Sequence, residues 1–135
     1  MNDLVALIDS DTLIDVLTLR EPFADTAKKV FQACLDKKVA GYIAAHSITN
    51  IFYILRKNYS LEERKQMLLD LFDIVDVVGV VKSLLIKALV YEDFDDIEDR
   101  LQVECAQAVN ADYIITRNIG DFTTSPIPAI LPKDF

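Results

Sequence analysis

Two carboxylates, Asp9 and Asp11, stand where the apolar run Leu4-Val5-Ala6-Leu7-Ile8 gives way to residues that open a helix. Asp11 suits helix capping as well as a site. Asp9 suits capping less well, because a carboxylate that follows five apolar residues is costly to bury without a partner. A further acid, Asp99, closes the acidic segment Glu92, Asp93, Asp95, Asp96, Glu98 and Asp99. Most of that segment reads as solvated surface or helix capping, with Asp95 and Glu98 at capping-box spacing. Asp99 differs in that Gln102 and Ala106 follow it on nearly the same helical face, where the small Ala106 permits close packing on a sheet. The turn Thr116-Arg117-Asn118-Ile119-Gly120-Asp121-Phe122 adds oxygen ligands from Asn118 and Asp121, both of which are also ordinary turn residues.

Acids converging from separate strand ends repel each other by roughly 4 kcal/mol for a pair about 4 Å apart at an effective dielectric of about 20. A cation is needed to offset that repulsion. The only histidine is His46, and Cys34 and Cys105 are isolated, so neither a zinc site nor a disulfide framework is indicated. Hard oxygen ligands suit Mg²⁺ or Mn²⁺, ions that activate water and stabilise charge developing on a phosphodiester.

The elements that must hold these residues follow from the apolar pattern. The continuous run 4–8 predicts a strand covered on both faces, followed by a helix from Ser10 that continues to the turn at Glu21-Pro22. Ala27, Val30, Phe31, Cys34 and Leu35 recur at helical spacing and predict a second helix over 24–36. A short strand at 41–44 precedes a helix capped by Ser47, and Ser60 with Glu63 forms a capping box for the next helix. Ile74 to Val78 predicts a third strand, 80–91 and 96–109 two helices, Tyr113-Ile114-Ile115 a fourth strand, and Ala129-Ile130-Leu131 a fifth. Strands separated by helices imply crossovers. The expected fold is therefore α/β, three layers with a mainly parallel four- to five-stranded central sheet, and residues 1–135 form a single domain. Sites in such sheets lie beyond the carboxyl ends of the strands, where Asp9 and the 118–121 turn fall.

With 52% apolar residues in 135, the chain can bury one substantial core. No apolar run is long enough to span a membrane and the start lacks a basic leader, so a cytoplasmic protein is expected. The net charge of −8 opposes nucleic-acid binding unless part of it is an acid cluster that a cation neutralises. An acidic solvated surface explains the charge equally well.

Taken together, Leu7-Ile8-Asp9-Ser10-Asp11, Glu98-Asp99-Arg100-Leu101-Gln102 with Ala106, the Ile115 to Phe122 segment and the closing Ile127-Pro128 and Pro132-Lys133-Asp134-Phe135 resemble the PIN-domain family of metal-dependent ribonucleases. The likeness is greatest to the VapC-like toxins. The resemblance implies an acidic pocket for Mg²⁺ or Mn²⁺ that hydrolyses RNA. It assigns Asp9, Asp99 and Asp121 as metal ligands, with Asn118 as the alternative last ligand and Asp11 and Thr116 as accessory groups. One departure is Asn50, which stands where the family has a glutamate; Asn keeps one oxygen ligand but carries no charge and cannot act as a base. Arg20, Arg56, Lys57 and Arg117 are the expected phosphate contacts. Tyr53 is expected to pack in the core, with base stacking as its alternative role. The resemblance further implies an antitoxin partner and self-association through apolar helices.

Two other readings are open at this point. Asp9-Ser10-Asp11-Thr12-Leu13 resembles the nucleophile motif of haloacid dehalogenase-type phosphatases, though one residue is missing between Asp11 and Thr12. Alternatively, Asn50 marks a catalytically weakened domain that binds RNA or a protein without cleaving it.

Overall fold

The computed structural model describes residues 4–92 and 95–135. Among them the chain alternates strands and helices: β1 (Leu4–Ile8), α1 (Ser10–Leu17), α2 (Ala24–Leu35), β2 (Val39–Ala44), α3 (Ala45–Ile54), α4 (Leu61–Phe72), β3 (Asp76–Val78), α5 (Lys82–Val90), α6 (Ile97–Ala108), β4 (Tyr113–Ile115) and β5 (Ala129–Ile130). The five strands form one parallel sheet in the order β3-β2-β1-β4-β5, as the crossover pattern predicts.

Alternation along the strands assigns each face of the sheet to its own core. Ala6 and Ile8 of β1 and Ile43 of β2 point to one side, where they pack with Leu13 of α1, Val30 and Phe31 of α2, Ile51 of α3 and Leu68 and Leu71 of α4. Leu7 and Ala44 point to the other, against Leu84 of α5 and Val103, Cys105 and Ala106 of α6. Both faces of β1 are therefore dry, which is why its run is unbroken by polar residues. Burying each of Leu7, Ile8, Ile114 and Ile115 contributes about 1.5–3 kcal/mol.

Element boundaries shift where helix ends decide them. α1 stops at Leu17, short of the predicted turn, because Leu19 adopts a positive φ of 53°. β2 begins earlier than predicted, at Val39, and Ile74 and Val75 do not extend β3, because their N–H groups bond the Leu71 carbonyl and continue the end of α4. The Ser60–Glu63 capping box forms as read. Ser47 does not cap α3: β2 runs directly into that helix at Ala45, and Ser47 is buried in its first turn. Asp96, not Asp95, caps α6, accepting a 3.1 Å bond from Asp99 N–H. Asp93, part of the acidic segment, lies outside the described residues.

Candidate active site

The sheet order reverses direction between β1 and β4, so the α1 and β4 connections leave opposite ways and open a crevice beyond the two strand ends. Asp9 stands at the end of β1, with its N–H donating to the Ile115 carbonyl of β4 at 2.9 Å. As N-cap of α1, its Oδ1 accepts from Ser10 N–H at 2.8 Å, yet the residue is only 8% exposed. Thr116, fully buried at the end of β4, brings its Oγ1 to 2.9 Å from Asp9 Oδ2 and 3.2 Å from Asp11 Oδ2. One hydroxyl proton cannot serve two carboxylates. Thr116 Oγ1 also accepts from Asn118 N–H at 3.0 Å. The set is satisfied when Thr116 donates to Asp11 and a protonated Asp9 donates to Thr116.

The electrostatics independently favour a protonated Asp9, even with Thr116 donating to it. Burial first, and then the Asp11 charge, pushes the Asp9 carboxyl from 3.8 up to about 7, against the smaller opposing effect of the Thr116 and Ser10 bonds. Asp99 is pushed up to about 6, by burial and then by Asp96, Asp121, Glu98 and Asp11. Asp9 also feels Asp99. The predicted acids are thus brought into one another's field from four parts of the chain: β1, α1, α6 and the turn after β4. A cavity of about 360 Å³ adjoins them, lined by Asp96, Asp99, Arg100, Gly120 and Asp121 among others. Arg100 does not relieve the acids, because its Nε and Nη2 both bond the buried Glu104 and its guanidinium lies 3.7 Å from the Tyr91 ring centre. Among the described residues, no three His, Cys, Asp or Glu side chains stand close enough to grip one ion. The donor chemistry nevertheless suits a hard cation: Asp9 and Asp99 are carboxyls whose proton affinity is raised by burial and by neighbouring acids, and no ion pair among the described residues involves either.

Asp11 organises the turn, its Oδ2 also accepting from Arg117 N–H at 3.0 Å and Asn118 Nδ2 at 3.1 Å. Asp121 is exposed in the short helical turn Ile119–Phe122, and Asn50 is exposed on α3. Arg20 and Lys57 are exposed; Arg56 donates to the Tyr53 carbonyl and lies over the Tyr53 ring at 3.5 Å. Tyr53 is 60% exposed and does not pack in the core, because it sits on the side of α3 opposite the buried Ser47 and Ile51. Arg117 is not a free cation on the rim: its Nε and Nη2 bond Asp15 at 2.6 and 3.3 Å.

Asp15 is the residue that sequence reasoning missed. It is 1% exposed, and its only signal is an acid interrupting Leu13-Ile14 and Val16-Leu17, one helical turn after Asp11. Its pair with Arg117 fastens the turn carrying Thr116 and Asn118 to the helix carrying Asp11. Gln102 does more than share the helical face of Asp99. It is buried, and its Nε2 donates to Ser47 Oγ at 2.8 Å, joining α6 to α3 behind Asp99.

The sequence profile of the PIN domain matches residues 5–120, which include Asp9, Asp99 and most of the turn. The chain belongs to the PIN domain family. That membership accounts for Asp9-Ser10-Asp11 without the phosphatase reading. No curated protein sequence matches the chain. In fold, this PIN domain is similar to a toxin–antitoxin complex component from Klebsiella pneumoniae, with TM-score 0.71, 22% identity and coverage of 94% of this chain and 97% of the other. It is similar also to VapBC2 from Rickettsia felis, solved with a promoter DNA fragment, with TM-score 0.69, 15% identity and coverage of 95% and 98%. A third structure of similar fold is VapC20 from Mycobacterium tuberculosis, a sarcin–ricin loop cleaving toxin, with TM-score 0.69, 15% identity and coverage of 90% and 95%.

Proposed function

We propose that this PIN domain is a divalent-metal-dependent endoribonuclease and the toxin of a toxin–antitoxin pair. The observation that carries the reading is the uncompensated acid group beyond β1 and β4, where Asp9 and Asp99 hold protons far above the usual carboxylate range. Asp9, Asp99 and Asp121 would hold Mg²⁺ or Mn²⁺, with Asn118, Asp11, Thr116 and Asn50 as accessory oxygen donors. The bound ion supplies activated water and offsets charge on the phosphodiester. Thr116 and Ser10 orient the two Asp9 oxygens, and Asp11 fixes the turn that carries Asn118 and Asp121. Arg20, Arg56 and Lys57 offer exposed charge to RNA phosphates beside the acidic centre.

An antitoxin partner is supported by the fold shared with proteins solved as toxin–antitoxin complexes. Self-association is supported by α5, whose Leu85, Ile86, Leu89 and Val90 are exposed. No helix among the described residues is long and apolar enough to cross a membrane; the cytoplasm is proposed as the site of action together with the toxin reading. Asn50 supports a second reading, in which the domain binds RNA or a partner without turnover.

The test is incubation of the purified protein with a panel of structured and single-stranded RNAs, with Mn²⁺, with Mg²⁺ or with chelator. Metal-dependent cleavage lost in Asp9→Asn and Asp99→Asn is expected. Cleavage that survives chelator or both substitutions would overturn the mechanism, and RNA binding without cleavage would favour the second reading.

A further inference from the structure

A second cavity, of about 460 Å³, opens between the α1–α2 corner and the C-terminal tail, lined by Pro22, Phe23, Thr26, Arg117, Pro132 and Lys133 among others. Its volume falls within the roughly 300–1,000 Å³ usual for small-molecule pockets. The lining contains an aromatic ring, two prolines and two cations, and no acid, although the chain as a whole carries a net charge of −8. The Arg117 guanidinium lies 4.0 Å from the Phe23 ring centre and is fixed in plane by Asp15 through Nε and Nη2. Among the described residues its Nη1 has no bonding partner, and Lys133 is exposed. The guanidinium covers one face of the Phe23 ring, and the other face, with the Lys133 ammonium near it, offers the chemistry that accepts a base and its phosphate.

The cavity is also joined to the acid group. Arg117 lies between Thr116, which touches Asp9, and Asn118, which donates to Asp11, and its own N–H bonds Asp11. We infer that this cavity is a nucleotide subsite, holding one base of single-stranded RNA against the open face of Phe23 and the prolines, with its phosphate between Arg117 and Lys133. The inference rests on the nuclease reading for the identity of its polymer. An apolar peptide is the competing occupant, and the exposed Lys133 ammonium speaks against it.

The test titrates adenosine and uridine 5′-monophosphates into the ¹⁵N-labelled full chain in the presence of chelator, which prevents phosphate binding through a divalent metal at the acid group. Saturable amide shifts are expected at Phe23, Thr26, Arg117 and Lys133. Lys133→Glu, at an exposed position, and Thr26→Trp, which fills the cavity, should each weaken binding by about fivefold or more. Shifts absent from these residues, or binding unchanged in both variants, overturn the subsite. RNA cleavage run in parallel separates the two claims. Nucleotide binding here without cleavage sinks the nuclease and leaves the subsite; cleavage with an unchanged KM in Lys133→Glu does the reverse.

Discussion

Replacing Asp9 with asparagine is expected to stabilise the fold at neutral pH. The folded protein holds the Asp9 proton up to about pH 7, whereas the unfolded chain releases it near 3.8, so below pH 4 both states are protonated and the residue costs nothing. Between pH 4 and 7 the folded state binds the extra proton, and wild-type stability falls as pH rises; above pH 7 the loss is complete. Integrating over that window gives a cost of about 4 kcal/mol at pH 7.5 and about 2 kcal/mol at pH 5. Asparagine removes the charge and keeps the geometry. Its Oδ1 can accept from Ser10 N–H, and its Nδ2 can donate to Thr116 Oγ1, leaving that hydroxyl to serve Asp11. Allowing for incomplete relief, the variant should gain about 2–4 kcal/mol at pH 7.5, or roughly 6–12 °C in Tm, and much less at pH 4. Urea denaturation of both proteins across pH 4–8 without divalent ions measures this, and the influence of acids remote from Asp9 cancels in the difference, whereas that of Asp11 and Asp99, which act on Asp9, does not. An Asn variant that is less stable at pH 7.5, or whose gain does not grow with pH, would refute the argument that Asp9 is an uncompensated buried acid.

Arg117→Gln strands a carboxylate that is 1% exposed, and should destabilise the fold by about 3 kcal/mol, with Asp15→Asn in the same chain recovering most of it; urea melts of the cycle decide. Gly41→Ala would place a Cβ 2.7 Å from Cys34 Sγ and 3.1 Å from a Val75 methyl, so a loss of about 1–3 kcal/mol is expected, partly restored by Cys34→Ala. Asn50→Glu returns a charged oxygen ligand to α3 and should tighten Mn²⁺ binding by calorimetry; unchanged affinity would remove Asn50 from the site.

How much of this was legible in the sequence depends on the range of the interaction. The unbroken apolar run before Asp9 reports a strand dry on both faces, and that fixes Asp9 at its carboxyl end and hence in the crevice. Local capping was readable at Ser60–Glu63 but slipped by one residue at Asp96, where several acids compete and only backbone geometry chooses between them. Ser47 looked like a cap because its type suits one. Its actual partner, Gln102, is 55 residues away on another helix. Asp15 and Arg117 are 102 residues apart, and nothing local to either declares the pair, so Arg117 read as a free phosphate contact. The alternation of buried and exposed positions on a short helix is also a weak signal, which is how Tyr53 came to be expected inside.

The metal centre proposed for β1, α1, α6 and the turn after β4 is tested most directly by titrating Mn²⁺ into the ¹⁵N-labelled protein and mapping paramagnetic broadening. Loss of the amide signals of Asp9, Asp11, Asp99 and the 118–121 turn at substoichiometric metal is predicted, with Asp99→Asn abolishing it. Broadening centred elsewhere, or none at millimolar metal, would contradict the account.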